Sequence, residues 1–264
     1  MVMPSRRILW QAAFALAVSA ISGPGRAGEV GRISADRSQP ASPERPLGVV
    51  ELFTSQGCSS CPPADAFFAE LANRQDIVAL SYHVDYWDYL GWKDTLSHKE
   101  NTERQYDYMR AFGSRSVYTP QAVINGRVHV SGANRGEVDG TLARMARSGE
   151  GMHVTVKVSR TGDRVIIDAG DAGAGPGDAH VVIVYFDAPQ TVKIAQGENS
   201  GRKITYWNAV TDIQTAGIWH GKAQRYELPM SEITKKGGSA VFLQSVGRDG
   251  MPGPILGAAF IHKP

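Results

Sequence analysis

The chain has 264 residues and carries 28 Lys and Arg against 26 Asp and Glu side chains, a formal net charge of +2. No long run of basic residues interrupts it, so the sequence gives no indication of nucleic-acid binding. Its only two cysteines are Cys58 and Cys61.

Residues 1–27 have the pattern of an export signal. Arg6 and Arg7 provide the basic start, residues 8–21 form an apolar stretch, and residues 25–27 offer a small-x-small cleavage site. The apolar stretch is shorter than the roughly 20 residues that span a bilayer, so we expect cleavage and no membrane span afterwards; anchoring by an uncleaved signal is the alternative. Removal of the three signal arginines leaves 25 basic and 26 acidic residues. We predict a periplasmic or secreted protein in an oxidising compartment, where cysteine pairs stay bonded or exchange disulfides.

The rest of the chain predicts a linker and two domains. Residues 28–46 are rich in Ser, Pro, Arg and Glu with almost no large apolar side chain, which is typical of a flexible linker. The remaining residues are more than a common single domain contains, and their pattern of predicted secondary structure changes near Gly149. Strands alternate with helices over residues 47–149, whereas residues 150–264 contain only strands and turns.

Cys58 and Cys61 lie between an apolar, strand-like run at residues 47–53 and a helix-like segment at residues 64–74. A strand, a C-x-x-C turn and a helix form a thiol-redox pattern. In the first turn of a helix, unpaired N–H groups and the helix dipole favour a thiolate. We expect Cys58, nearer the exposed end, to attack a partner and Cys61 to resolve the mixed disulfide.

Other interpretations of the two cysteines remain open. Half of a zinc site would have to borrow histidines as further ligands. A purely structural disulfide would close a very small loop and stabilise the fold little. Two buried, inert thiols are the third alternative.

A second polar and aromatic stretch, residues 83–94, comes directly after the strand-like run at residues 77–83. The carboxyl ends of parallel strands line the sites of α/β sheets, so we expect His83, Asp85, Trp87 and Asp88 around the cysteines. A histidine near Cys58 would stabilise its thiolate, and Trp87 or Trp92 would give an apolar platform for substrate. We therefore predict substrate contacts for His83, Asp85 and Trp87. The alternatives are a loop that packs on the core, or a copper or zinc site in which Cys58, Cys61 and His83 are ligands, with Asp85 a possible addition.

The predicted elements before Gly149 have the order β-α-β-α-β-β-α, with Thr119-Pro120 just before the third strand and an Asn125-Gly126 hairpin turn after it. This order resembles the thioredoxin fold over residues 46–148. The resemblance implies a cis bond at Thr119–Pro120 that presents the Thr119 backbone to a bound peptide, and a buried acid at Glu51 that acts as general base toward Cys61. A trans turn and an outward-facing Glu51 are the alternatives.

Three segments point to a more specific family: residues 51–65, residues 83–94 and Val117-Tyr-Thr-Pro-Gln121. Their amino-acid sequences are similar to those of a bacterial secreted family catalogued as domain of unknown function 1223. Membership implies a thioredoxin-like domain and an envelope location, but no established reaction.

Residues 150–264 predict six to eight short strands and a β-sandwich. Within them, the polar run of residues 196–202 precedes Tyr206-Trp-Asn208, as in a binding loop, although a hairpin connection explains it equally well. We expect this part to pack on the redox face or to select the partner.

The predicted fold class is thus an α/β thioredoxin-like domain followed by an all-β, sandwich-like domain. The predicted function is a thiol-disulfide oxidoreductase that acts on exported proteins with cysteines or on a redox partner protein. No cofactor beyond the redox-active disulfide Cys58–Cys61 is expected. The alternative is a non-catalytic module that binds a metal or a partner protein through the same cysteines.

Overall fold

The computed structural model describes residues 45–262, except for 174–176, 234–236 and 248–249. The predicted signal at residues 1–27 and the predicted linker up to residue 44 lie outside the described residues. Within the described part of the chain, no helix has the length and apolar character needed to cross a membrane.

The elements up to residue 148 occur in the predicted order. They are β1 (Gly48–Thr54), α1 (Pro62–Asn73), β2 (Ile77–His83), α2 (Lys99–Ala111), β3 (Gln121–Ile124), β4 (Val128–Ser131) and α3 (Arg135–Ser148). The later elements are β5 (Val156–Thr161), β6 (Arg164–Ala169), β7 (Ala179–Phe186), β8 (Gln190–Lys193), β9 (Lys203–Tyr206), β10 (Val210–Trp219), β11 (Gln224–Pro229), α4 (Met230–Ile233), β12 (Gly238–Val246) and β13 (Pro252–His262).

The first sheet has the strand order β2-β1-β3-β4. Strand β1 pairs in parallel with β2 and antiparallel with β3, and β3 pairs antiparallel with β4. The predicted hairpin between β3 and β4 is confirmed: Asn125 and Gly126 both adopt positive φ, at 52° and 63°, which asparagine and glycine tolerate best. The connection also includes Arg127, one residue more than the two-residue turn that we expected.

Successive side chains of β1 point to opposite faces of this sheet, and both faces are buried. Val50 and Leu52 pack in the hydrophobic cluster that contains the apolar residues of α1 and α3. Val49 and Phe53 pack in a second cluster that also holds residues of β7, β12 and β13. Helices therefore cover one face of the first sheet, while strands from the later part of the chain pack against the other.

The predicted fold class was wrong. Strands hold 41% of the described residues and helices only 22%, and the strands are distributed over several small sheets rather than one α/β domain with a separate β domain. The physical reason is the shared core: an apolar face of the first sheet that we assigned to an independent α/β domain is buried against β7, β12 and β13. The predicted domain boundary near Gly149 stays a prediction.

The later strands are compatible with the predicted sandwich-like arrangement. One sheet has the order β10-β7-β12-β13 and a second has the order β11-β6-β5. Strand β7 is apolar on both sides. Val182 and Val184 belong to the cluster that contains Val49 and Phe53 of the first sheet, whereas Val181 and Ile183 join a cluster with residues of β5 and β6. The remaining pair, β8 and β9, forms a hairpin of its own.

Candidate functional site

Cys58 and Cys61 form a disulfide at the junction of β1 and α1. Cys61 is the N-cap residue of α1, and the next two residues, Pro62 and Pro63, occupy the first turn, where their missing N–H groups cost no helical hydrogen bond. Cys61 is fully buried and Cys58 is only 2% exposed. Cys58 is therefore more enclosed than the sequence led us to expect, while the intervening Ser59 and Ser60 are exposed.

The Thr119–Pro120 peptide bond is cis and lies beside the disulfide. The hydroxyl of Ser60 joins the two, since its Oγ lies 3.4 Å from Sγ of Cys58 and donates to the Thr119 carbonyl at 3.4 Å. Trp87 Nε1 donates to Thr119 Oγ1 at 2.8 Å. The predicted substrate contacts at Thr119, Pro120 and Trp87 are thus brought to the cysteine turn as one unit.

Tyr89 extends this aromatic surface. It is 77% exposed and its ring stacks on Trp87 with a centroid separation of 6.4 Å. A half-buried tryptophan with an exposed tyrosine stacked on it, beside a backbone carbonyl, can offer stacking surface and a hydrogen-bond acceptor to an extended peptide.

Asp65 is buried on α1, one helical turn after Cys61. Its Oδ1 accepts a hydrogen bond from Thr54 Oγ1 at 2.7 Å, whereas no partner for its Oδ2 is present among the described residues. Burial raises the pKa of the Asp65 carboxyl to about 7, against the smaller lowering effects of Thr54 and His83. Sequence reasoning missed Asp65, although a lone acid beside Phe67 and Phe68 on the apolar side of a helix was a usable signal.

His83 lies at the end of β2 and is fully buried. Its Nδ1 pairs with Asp94 Oδ2 at 2.8 Å, and the same carboxylate oxygen accepts from the Gln56 backbone N–H at 2.8 Å. Burial alone would lower the pKa of His83, but the Asp94 carboxylate outweighs it and the net pKa is raised. His83 therefore reaches the cysteine turn through Asp94 and the backbone of Gln56.

Several polar atoms in this buried region have no partner within the described residues, among them Asp65 Oδ2, His83 Nε2 and the Tyr206 hydroxyl. The Tyr206 ring, from β9, lies edge-on to His83 with centroids 4.7 Å apart. Asp65 contributes to the raised pKa of both His83 and Tyr206. Buried polar atoms without partners are uncommon in folded proteins, and a catalytic or redox role is one explanation for them.

Glu51 is brought to a different place. Its carboxylate accepts from Arg104 Nε at 2.7 Å and from the Tyr108 hydroxyl. Both partners belong to α2, and Glu51 alternates on β1 with residues that face α1. The structure does not bring Glu51 to Cys61.

Asp85 and Asp88 organise the loop after β2. Asp85 Oδ1 accepts from Thr102 Oγ1 at 2.7 Å, and Asp88 Oδ1 accepts from the Asp94 backbone N–H at 3.0 Å. Trp92 Nε1 donates to Gln56 Oε1 at 2.9 Å in the same loop. Among the described residues, no group of three or more His, Cys, Asp or Glu side chains is arranged to hold a metal ion.

Comparisons with known proteins give a family and two similar structures. The family model described as "Protein of unknown function (DUF1223)" matches residues 49–244. A crystal structure of a protein from Agrobacterium tumefaciens is 48% identical, covers 83% of this chain and 96% of its own, and superposes with a TM-score of 0.76. HBP35 of Porphyromonas gingivalis is 11% identical over 83% of this chain and 76% of its own, with a TM-score of 0.56, which is a likeness of fold alone. No curated protein matches the sequence.

Proposed function

Because the chain belongs to the DUF1223 family, whose description names no activity, we propose a function from the site itself: a thiol-disulfide oxidoreductase that acts on cysteines of exported proteins. The observation that carries the proposal is the Cys58–Cys61 disulfide at the start of α1, beside the Thr119 carbonyl. The N-terminus of a helix stabilises a thiolate, which is both the nucleophile and the leaving group of disulfide exchange.

The exchange uses two electrons and leaves no atom unaccounted for. A thiolate of the partner attacks Sγ of Cys58, a mixed disulfide forms, and Sγ of Cys61 leaves with the electron pair of the broken bond. A second thiolate of the partner then attacks the partner sulfur that is bonded to Cys58, and Cys58 leaves as a thiolate. The partner becomes a disulfide, Cys58 and Cys61 become thiols, and the reverse sequence reduces a partner.

Asp65 replaces Glu51 as our candidate for the proton transfer. It lies one turn after Cys61 on the same helix, its Oδ2 has no partner among the described residues, and its pKa of about 7 allows it to be protonated or ionised near neutral pH. In its protonated form it would supply the proton that the departing Cys61 thiolate takes up. As a carboxylate it would accept that proton in the reverse direction.

Trp87, Tyr89 and the Thr119 carbonyl would form the surface that binds the partner polypeptide. The carbonyl accepts a backbone N–H and the aromatic rings cover apolar side chains. We place this activity outside the cytoplasm because of the export pattern in residues 1–27.

One observation favours the alternative, a non-catalytic module that binds a partner protein or a metal. Cys58 is 2% exposed, so an attacking thiolate reaches it only after the surrounding side chains move. A metal-ligand role for Cys58, Cys61 and His83 would require the reduced cysteines and would use His83 Nε2, since Nδ1 is paired with Asp94.

Trapping of the mixed disulfide distinguishes the two functions. Cys61→Ser retains the attacking thiol and lacks the resolving one, so it should accumulate a stable adduct with a cysteine-containing peptide activated as a mixed disulfide. Cys58→Ser, its matched control, should form far less adduct because Cys61 is completely buried, whereas Cys58 is slightly exposed and adjoins the exposed Ser59. Equal labelling of both variants, or labelling of neither while the wild type also catalyses no exchange, would refute the oxidoreductase.

A further inference from the structure

The loop between β8 and β9 reaches the cysteine turn from 141 residues away in sequence. Asn199, in this loop, is 1% exposed, and its Nδ2 donates to the Cys58 carbonyl at 2.8 Å and to the Gln56 carbonyl at 3.0 Å. Both N–H bonds of one side-chain amide are thus directed at the backbone on either side of Gly57.

The loop is built to hold Asn199 in this position. Ser200 Oγ and its N–H donate within the loop, to the carbonyls of Ala195 and Gly197, at 3.0 and 3.1 Å. Gly197 has a φ of 74°, and a Cβ there would lie 3.1 Å from Cβ of Trp92, so the close approach requires glycine. Trp92 in turn donates to the Gln56 side chain.

The peptide from Gln56 to Cys58 is consequently fixed from two sides. Asp94 accepts from the Gln56 N–H, and Asn199 donates to the two carbonyls. Reduction of the disulfide separates two sulfurs that are now covalently joined, either by rotation of the cysteine side chains or by movement of the turn that carries Cys58. Where the turn moves, contacts that fit its disulfide form stabilise the oxidised protein relative to the dithiol.

We propose that Asn199 is a positioning residue that holds the Cys58 turn in its disulfide conformation and thereby sets the redox equilibrium of the pair. This inference rests on the proposed oxidoreductase function. It assigns to the later half of the chain a direct part in the redox site, through the polar loop of residues 196–202 that the sequence offered as a binding loop or a hairpin connection.

The test compares variants in glutathione buffers, where two glutathione thiols reduce the Cys58–Cys61 disulfide and become one glutathione disulfide. Asn199→Asp keeps the shape but places an acceptor against two carbonyl oxygens, and Asn199→Leu removes the donor at every pH. We expect both to shift the equilibrium toward the dithiol by about tenfold at pH 8, which for a two-electron couple equals about 30 mV. At pH 5 the protonated Asp side chain can donate again, so Asn199→Asp should return toward the wild type whereas Asn199→Leu should not.

Asn208→Asp is the matched control. Asn208 is another buried asparagine of the later half, and its Nδ2 donates to the Ala79 carbonyl of β2 rather than to the cysteine turn. It should lower the melting temperature without moving the redox equilibrium. Gly197→Ala provides a second route, since it displaces the loop without altering Asn199; if Asn199→Asp does not fold, the same direction of shift is expected from Gly197→Ala.

The outcomes separate this inference from the proposed function. A wild-type couple that cycles while the Asn199 and Gly197 variants keep its equilibrium would overturn the positioning role. An equal shift in Asn208→Asp would do the same. A wild-type pair that does not cycle would instead remove the oxidoreductase function on which the inference stands.

Discussion

Two buried clusters lie on opposite faces of the first sheet, and they differ in how completely their carboxylates are paired, although the Tyr82 hydroxyl beside Glu51 also has no partner among the described residues. On the face toward α2, the Glu51 carboxylate accepts from Arg104 and Tyr108, and Gln244 donates to the Tyr108 hydroxyl. On the face toward α1, Asp65, His83 and Tyr206 each keep a polar atom without a partner among the described residues.

We interpret the difference as one between a structural network and a chemical one. Both oxygens of the Glu51 carboxylate are paired, and the ion pair with Arg104 fixes the packing of α2 against the strands. The Asp65 carboxyl, buried with one oxygen that no described residue satisfies, has a pKa near neutrality and is available for proton transfer. The cysteines lie on the same side of the sheet as the second cluster, which is why we assign the chemistry to that side.

The largest expected effect comes from a substitution that breaks the buried pair of Glu51 and Arg104. Arg104→Met leaves the Glu51 charge buried without its cation, so we expect the free energy of unfolding to fall by about 3–5 kcal/mol. Urea denaturation measures it, and Lys99→Met on the same helix is the control, because the Lys99–Glu103 pair is exposed and should contribute little to stability. The redox equilibrium of the cysteines should stay the same in both variants; a large shift in Arg104→Met would erase the distinction between the clusters.

Asp65→Asn tests the cluster around Asp65 through the pH dependence of protein stability. The folded carboxyl, with a pKa of about 7, retains its proton up to neutral pH, whereas the unfolded one loses it above its ordinary pKa of 3.8. The folded state binds more protons in this window, so stability falls as pH rises from about 4 to 7. We expect about 3 kcal/mol of the wild-type decline between pH 5 and pH 8 to be absent in Asp65→Asn. Parallel pH profiles for the two proteins would contradict the buried titration.

The same variant sharpens the assignment of chemistry. If Asp65 supplies the Cys61 proton, the reduction rate by a dithiol in Asp65→Asn should lose its dependence on a group that titrates near pH 7. Glu51→Gln is the counterpart on the other face, and its pH–rate profile should keep the wild-type shape. A change of shape in Glu51→Gln alone would return the proton transfer to the residue that the sequence suggested.

Asp94→Asn addresses the link between His83 and the cysteine turn. Without the carboxylate, burial dominates and the pKa of His83 should fall below its usual 6.5 instead of lying above it. Ring-proton NMR titration measures this directly. An unchanged His83 titration would mean that the buried pair with Asp94 does not form.

Trp87→Phe gives the smallest expected effect. It retains an aromatic surface but loses the hydrogen bond to Thr119 Oγ1, which is worth about 1 kcal/mol. We expect a several-fold slower reaction with a cysteine-containing peptide and an unchanged reaction with dithiothreitol, which needs no docking surface. Equal slowing with both reductants would show that Trp87 supports the cysteine turn rather than the partner.

The sequence predicted local features well because neighbouring residues determine them. The order of elements before Gly149, the cysteine motif at a helix start and the Asn125-Gly126 hairpin all depend on short-range rules. The face on which Glu51 lies could not be predicted in this way, since β1 is buried on both sides and its apolar residues show no alternation. The sequence pattern therefore could not decide whether Glu51 or Asp65 lies near the cysteines.

Long-range packing accounts for the other differences. The fold class was wrong because no local pattern showed that β7 and β12 would bury one face of the first sheet. Asn199 lay in a loop that we marked, but its contact with Cys58 spans 141 residues and could not be inferred from spacing.

The central claim, that Cys58 and Cys61 are a working redox pair, is tested most directly by their midpoint in glutathione buffers, with metal content measured in the same preparation. We predict a reversible, metal-free two-electron couple between roughly −270 and −120 mV, the range of known disulfide catalysts. A disulfide that is reduced only when the protein unfolds, or a stoichiometric metal that blocks the thiols, would contradict the account.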